Sequence, residues 1–392
     1  MKKRQTFLFW MIGYTIFLLL VGSNLPSPLY SEYQKMFGFS STVLTLIFAV
    51  YAFVLIPSLC FFGQFSDQIG RKRILLAGTI IIVCGSVAFS LAKGTSRLFI
   101  ARGLQGLAAG MLSGTATAAL VELHPKNNRI FASLVATIAT AGGTAIGPIF
   151  SGILAQYGSV TLPYIVHVFL LLPGFVVLFM MPETVKPVPL KHWRLQLPTV
   201  PSSIRFLFII SAITGAITWS VSAFYTSLVP SYVSELMGIH NLALTGGVVF
   251  VMLAISAFTQ LFLNKISFRH SMVSGLICLI FGLSGIVIAV PIQSLILLLM
   301  STVIIGLGWG LAFMGSMALV NEIAPPKQRE HVVSSFYIIL YLGVGFPVIG
   351  IGIGTELLDL YKAVLIYVSV ASVLAIIIIV LIRSKAFHKL KV

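Results

Sequence analysis

Arg102 and Gln105 stand three residues apart in the stretch 97–121, which has no other charged residue between its ends. A guanidinium inside an apolar helix has to face a partner or a cavity, and this spacing puts the amide beside it on the same side. Two chemistries are open to the pair: handling of a proton or a polar substrate, or a structural arginine satisfied by backbone carbonyls. His167, in the apolar stretch 161–181, has the unperturbed titration nearest neutrality. It is read either as a proton carrier or as a hydrogen-bonded packing residue. A third cluster is Gly63-Gln64-Phe65-Ser66-Asp67-Gln68-Ile69-Gly70-Arg71-Lys72-Arg73. Its glycines permit a tight reversal, and Asp67 and Arg71, four apart, can pair with each other or meet helix ends.

In Gly143-Thr144-Ala145-Ile146-Gly147-Pro148-Ile149-Phe150-Ser151-Gly152, glycines one turn apart allow close contact with another helix, and Pro148 frees a backbone carbonyl. Gly103, Gly106, Gly110 and Gly114 form a second small-residue stripe, read as helix packing. Tyr14, Trp219, Tyr225, Trp309, Phe313, Tyr337 and Tyr341 are each ordinary packing candidates, but together they suit the wall of an apolar cleft for an amphipathic organic compound. All nine acids (Glu32, Asp67, Glu122, Glu183, Glu235, Glu322, Glu330, Glu356, Asp359) fall at the ends of apolar stretches or between them. Coupling to protons is therefore expected through Glu32, Glu235, Arg102 or His167. Cys60, Cys84 and Cys278 lie in apolar runs and read as small hydrophobes, so no metal site or disulfide is expected.

The elements that must position these residues follow from composition. Of 392 residues, 58% are hydrophobic and 9% charged, against about 25% charged in an ordinary soluble domain. Apolar stretches near 6–25, 42–62, 74–92, 97–121, 130–155, 161–181, 205–229, 243–263, 271–290, 294–320, 332–354 and 363–382 give twelve spans. The basic start followed by Phe7 to Val21 imitates a secretory signal, but no small-residue cleavage site follows, so it is read as a first span. With both ends cytoplasmic, the inner segments hold 20 Lys and Arg and the outer ones 4. The net charge of +16 is then explained by the anionic inner leaflet rather than by nucleic acid.

The Pro-rich and basic stretch 182–204 divides the spans six and six, so halves 1–181 and 205–392 are expected around a cytoplasmic linker. The halves repeat at an offset of 200 residues: Gly106 with Gly306, Gly110 with Gly310, Glu122 with Glu322, Pro125 with Pro325, Arg129 with Arg329, Gly143 with Gly343 and Gly152 with Gly352. Six-span halves keep the same topology, which predicts an all-α membrane bundle of two pseudo-symmetric six-helix units.

The segment Gly63 to Arg73 resembles the signature loop of the major facilitator superfamily. That resemblance implies a conformational latch made by Asp67 and Arg71 with Glu122, in a frame that includes Gly63, Gly70 and Arg73. The second-half counterpart, Asn264-Lys265-Ile266-Ser267-Phe268-Arg269, has no acid. Leu98, Arg102, Gln105 and Gly106 are similar to a second motif of the family. Gly143, Gly147, Pro148 and Gly152 resemble its antiporter motif, with Ser151 in place of the first of a glycine pair, and this resemblance implies export. Compact loops and the pair Pro26 and Pro28 resemble the twelve-span drug:proton antiporters.

No phosphate-cradling Gly-rich loop ending in Gly-Lys-Ser or Gly-Lys-Thr occurs, which excludes an ATP-driven pump. No nucleophile and base constellation lies at depth, so an enzyme is not expected. The expected function is alternating-access export of a small amphipathic compound, coupled to protons, by a cofactor-free monomer among the lipids of a bacterial plasma membrane. A nutrient uptake permease and a transport-inactive sensor of the same fold remain the alternatives.

Overall fold

The computed structural model describes residues 2–124, 128–185, 199–384 and 387, with only the backbone of Lys2, Gly63, Gln64 and Asp67. Its helices are α1 (Lys2–Asn24), α2 (Tyr30–Phe37), α3 (Ser41–Ile69), α4 (Arg71–Ser90), α5 (Thr95–Leu123), α6 (Arg129–Tyr157) and α7 (Leu162–Met180). The chain continues with α8 (Arg205–Ser227), α9 (Val229–Leu236), α10 (Leu242–Phe262), α11 (Phe268–Ala289), α12 (Leu295–Ile323), α13 (Arg329–Leu357) and α14 (Leu360–Arg383). The described residues contain no strand. Twelve spans among them are long and apolar enough to cross a membrane, the short α2 counting with α1. Large exposed side chains such as Phe7, Trp10, Phe169, Phe179, Phe281 and Val380 leave the outside of the bundle apolar, as a hydrocarbon solvent requires.

One pairing scheme is used twice. In the first set α1 packs on α5, α6 and α7, and α4 packs on α5 and α7; in the second, α8 packs on α12, α13 and α14, and α11 on α12 and α14. The chain forms two compact units, and each takes a short segment from the opposite half of the sequence. Residues 40–49, the start of α3, belong with the second unit, and residues 241–247, the start of α10, belong with the first.

The segment expected as a loop between spans two and three is instead mostly helix. α3 runs through Gly63 to Ile69, because the mostly polar residues 64–68 are compatible with a helix once it leaves the apolar layer. The reversal is confined to Gly70, whose φ of 109° is open to glycine and strained for other residues. Gly63 therefore makes no turn, a correction to the reading above.

Candidate functional site

The buried centre of the first unit is set by where α1 stops. Pro26 has no N–H to give to the carbonyl of Gly22, and the chain beyond Asn24 leaves the helix, so the last carbonyls of α1 need other donors. Leu25 N donates to Val21 O at 3.1 Å. Gln105 Nε2 donates to Gly22 O at 2.9 Å, and Arg102 Nη1 to Ser23 O at 3.0 Å. The same Nη1 reaches Gln105 Oε1 at 2.9 Å, which joins the two side chains into one clamp. Arg102 also lies over the Tyr51 ring, 4.6 Å from its centroid. Arg102 and Gln105 are buried, and the cation sits at the negative end of the α1 dipole, which offsets part of the cost of burying it.

His167 is fully buried between α7, α1 and α4. Its Nε2 is 2.9 Å from Leu18 O, and its Nδ1 is 2.9 Å from Ser86 Oγ. A carbonyl only accepts, so Nε2 carries the proton and Nδ1 accepts from the serine hydroxyl. Gly22 makes room for the ring, since a Cβ there would lie 2.5 Å from Nε2. Both nitrogens are occupied, which is the arrangement of a packing histidine.

At the α3–α4 turn, Arg71 Nε meets Glu122 of α5 at 2.9 Å and Arg71 Nη1 donates to Ser66 Oγ at 3.0 Å. Arg71 and Glu122 both belong to the first unit. Arg73 is exposed. The side chain of Asp67 lies outside the described residues. Sequence reasoning missed Glu183, which lies just beyond α7: its Oε1 accepts from the backbone N–H groups of Arg71 at 2.8 Å and Lys72 at 3.4 Å. Lys72 Nζ in turn donates to Phe179 O at 2.6 Å. A carboxylate thus caps the open start of α4 across 112 residues of sequence. Glu183→Ala is expected to cost about 0.5–1 kcal/mol by analogy with lost caps, with Glu183→Gln recovering part; thermal unfolding of the purified protein measures it.

On α6, a Cβ at Gly143 would lie 2.9 Å from Leu20 Cβ, and one at Gly147 2.8 Å from Val21 O, so both glycines let α1 approach backbone to backbone. A Cβ at Gly152 would lie 3.0 Å from the carbonyl carbon of Leu242, at the start of α10. Its twin Gly352 on α13 meets the start of α3 in the same way, 3.0 Å from Ser41 O. One turn on, Gln156 Oε1 accepts from Leu242 N at 2.7 Å and Glu356 Oε1 accepts from Thr42 N at 2.9 Å, again at an offset of 200 for both partners. Pro148 packs on Gly246, and Ser151 is buried and turns its hydroxyl back to Pro148 O at 3.1 Å.

In the second unit Thr302 stands where the first has Arg102, and its Oγ1 is 3.1 Å from the Tyr225 hydroxyl. Tyr225 is fully buried and so belongs to packing rather than to an open wall. Trp219, Trp309, Phe313, Tyr337 and Tyr341 are only partly buried and gather on α8, α12 and α13. Tyr14 in the first unit donates to Leu170 O at 2.8 Å. Glu32 pairs with Lys35 at 2.8 Å on α2, and Glu235 is exposed on α9. The three cysteines are free, and no group of His, Cys, Asp and Glu among the described residues is arranged to hold a metal.

Among the described residues, twelve helices able to cross a membrane in two repeated packing schemes, with a charged turn after α3 and an arginine clamp on α1, define an all-helical multi-pass membrane bundle. The chain belongs to the Major Facilitator Superfamily, whose family pattern matches residues 12–348. Its described residues include twelve helices long and apolar enough to cross a membrane, as in a multi-pass member of that family. It is 26% identical to the quinolone resistance protein NorA of Staphylococcus aureus over 248 residues, 62% of this chain and 63% of that protein. It is 26% identical to multidrug resistance protein 2 of Bacillus subtilis over 161 residues, 40% of each chain. An uncharacterized MFS-type transporter of Mycobacterium tuberculosis is 36% identical over 95 residues, 24% of this chain and 14% of that one. The chain thus covers less than two thirds of the length of each of these curated relatives.

Solved structures share the fold. A peptide transporter of the POT type superposes with a TM-score of 0.78 at 16% identity, covering 95% of this chain and 93% of that one. The nucleoside transporter NupG gives 0.75 at 14% identity, covering 96% and 100%.

Proposed function

We propose that this chain exports a small amphipathic organic compound from a bacterial cytoplasm by alternating access, driven by protons entering in exchange. The carrying observation is the α6 segment Gly143 to Gly152, which packs on α1 and on the start of α10 and resembles an antiporter motif. Two relatives named for quinolone and multidrug resistance support the direction. In this reading the moving bodies are the halves 1–181 and 205–392, joined by the linker 182–204. The chain works as a monomer, with both ends cytoplasmic and lipids around it. Asp67, Arg71 and Glu122, framed by Gly63, Gly70 and Arg73, form the cytoplasmic latch. Arg102 and Gln105 act in coupling, with Glu32 and Glu235 as further candidates, and Tyr14, Trp219, Trp309, Tyr337 and Tyr341 line the substrate path.

In inside-out vesicles, acidifying the lumen is expected to drive accumulation of labelled aromatic compounds from a screening panel, and an ionophore is expected to stop it. Accumulation that persists after both pH gradient and membrane potential are collapsed removes proton coupling. Intact cells that concentrate the same compound instead of excluding it replace export by uptake.

A further inference from the structure

The half-buried aromatic cluster of the second unit carries an inference about the charge of the substrate. Trp219 of α8 is its hub, with ring centroids 4.8 Å from Tyr341 in an edge-to-face contact, 6.0 Å from Tyr337 and 6.0 Å from Phe313. Trp309 of α12 stacks on Phe313 at 5.1 Å. The indole N–H groups of Trp219 and Trp309 are enclosed, yet neither has a hydrogen-bond partner among the described residues. On α8, Tyr225 pairs its hydroxyl with Thr302, and Ser220 pairs with Tyr367 at 2.9 Å. Two enclosed donors without acceptors are costly by themselves, and a side-chain rotation that opens them to the acceptor of a ligand relieves that cost.

The distribution of charge narrows the ligand further. Arg205, Glu322, Arg329, Glu330 and Glu356 are the Asp, Glu, Lys and Arg residues of α8, α12 and α13, and each is within two residues of a helix end. The aromatic positions are about two helical turns or more from them along their own helices. A permanent cation entering there meets no carboxylate of these three helices near the rings, and cation–π attraction of about 0.5–2 kcal/mol offsets only part of the cost of burying a hydrated charge. An anion equally finds no Lys or Arg on these helices within about two turns of the aromatic positions. The positive N–H edges of the indoles also oppose a cation and attract an acceptor oxygen.

We propose that this face receives an uncharged aryl compound bearing a hydrogen-bond acceptor, held by stacking and by the Trp219 and Trp309 N–H groups, and that it discriminates against permanent cations. The proposal rests on the transport reading for there being a substrate at all, and names its charge class. It is tested with three probes of similar aryl bulk and different charge: triphenylphosphine oxide, tetraphenylphosphonium and tetraphenylborate. Calorimetric titration of the purified protein in nanodiscs, corrected against empty nanodiscs, is expected to show the neutral oxide binding at least about tenfold tighter than either ion. Trp219→Phe and Trp309→Phe keep a ring and remove the donor, and each is expected to weaken oxide binding about fivefold, the worth of one neutral hydrogen bond. Equal or tighter binding of tetraphenylphosphonium overturns the proposal, as does oxide binding that is absent or unchanged in both variants. The comparison of probes on the unaltered protein stands even where a variant folds poorly. Oxide binding without flux in liposomes sinks the transport reading and leaves the site; flux of the cation alone does the reverse.

Discussion

Arg102→Ala is expected to abolish transport in liposomes and to lower the thermal stability of the protein. The side chain does two things at once: it supplies a donor to Ser23 O at the end of α1, and it holds Gln105 in place to supply the next, to Gly22 O. Removing it orphans one buried carbonyl and loosens a second bond, a loss of about 1–3 kcal/mol for hydrogen bonds to a charged donor. Lysine keeps the charge but not the planar fork, so Arg102→Lys is expected to recover stability in part while transport stays low. Gln105→Ala is the companion: it leaves the cation and orphans Gly22 O, separating the carbonyl clamp from the charge. The decisive measurement is initial flux set beside the melting temperature of the same preparations. An alanine variant that melts early yet moves substrate at the normal rate reduces Arg102 to a structural cap.

Gly152→Leu is expected to be the second severe change. The added Cβ would meet Leu242 O and lie 3.0 Å from the carbonyl carbon and 3.2 Å from Ala243 Cα, all backbone that no rotamer change can move. The start of α10 must therefore shift away from α6, at a cost of about 1–3 kcal/mol for an overpacked contact. The hydrogen bond from Leu242 N to Gln156 lies one turn along and shifts with it. Because α6 and α10 come from different halves of the chain, transport is expected to fall about tenfold or more as the cycle loses one of its closed contacts. A cysteine at position 242, in a background without Cys60, Cys84 and Cys278, is expected to react faster with a thiol reagent in the leucine variant. Gly114→Leu is the control, since a Cβ there meets nothing within 4 Å. Normal flux and unchanged labelling in Gly152→Leu remove any role of this contact in the cycle.

Much of the architecture was legible because hydropathy is a local property. Twelve apolar stretches, each long enough to cross hydrocarbon, are read one window at a time, and the repeat at an offset of 200 residues needs only the sequence compared with itself. The closeness of Arg102 and Gln105 was also visible, since a spacing of three places side chains together on any helix. What they bind was left open between a cavity and backbone carbonyls. It is α1 carbonyls 79 and 83 residues away, and that pairing follows from how α5 packs on α1.

The tertiary structure alone decided the long-range partners. Glu183 reads as one more acid in a polar gap, and nothing local marks it as the cap of α4 across 112 residues. Gln156 and Glu356 are twins in sequence position, yet the hydrogen bonds to Leu242 and Thr42 appear only once the starts of α10 and α3 cross to the opposite unit. His167 could not be assigned from its type, because a histidine in an apolar helix is a carrier or a packing residue according to what its two nitrogens meet. Here they meet Leu18 O and Ser86, contributed by helices that close around it. The extent of α3 through Gly63 was likewise hidden, since hydropathy reports where the apolar layer ends and not where the backbone turns. The sequence by itself determined which segments leave water, because that depends on each residue's own transfer free energy; which buried polar atoms satisfy one another is a property of packed helices and exists only in three dimensions.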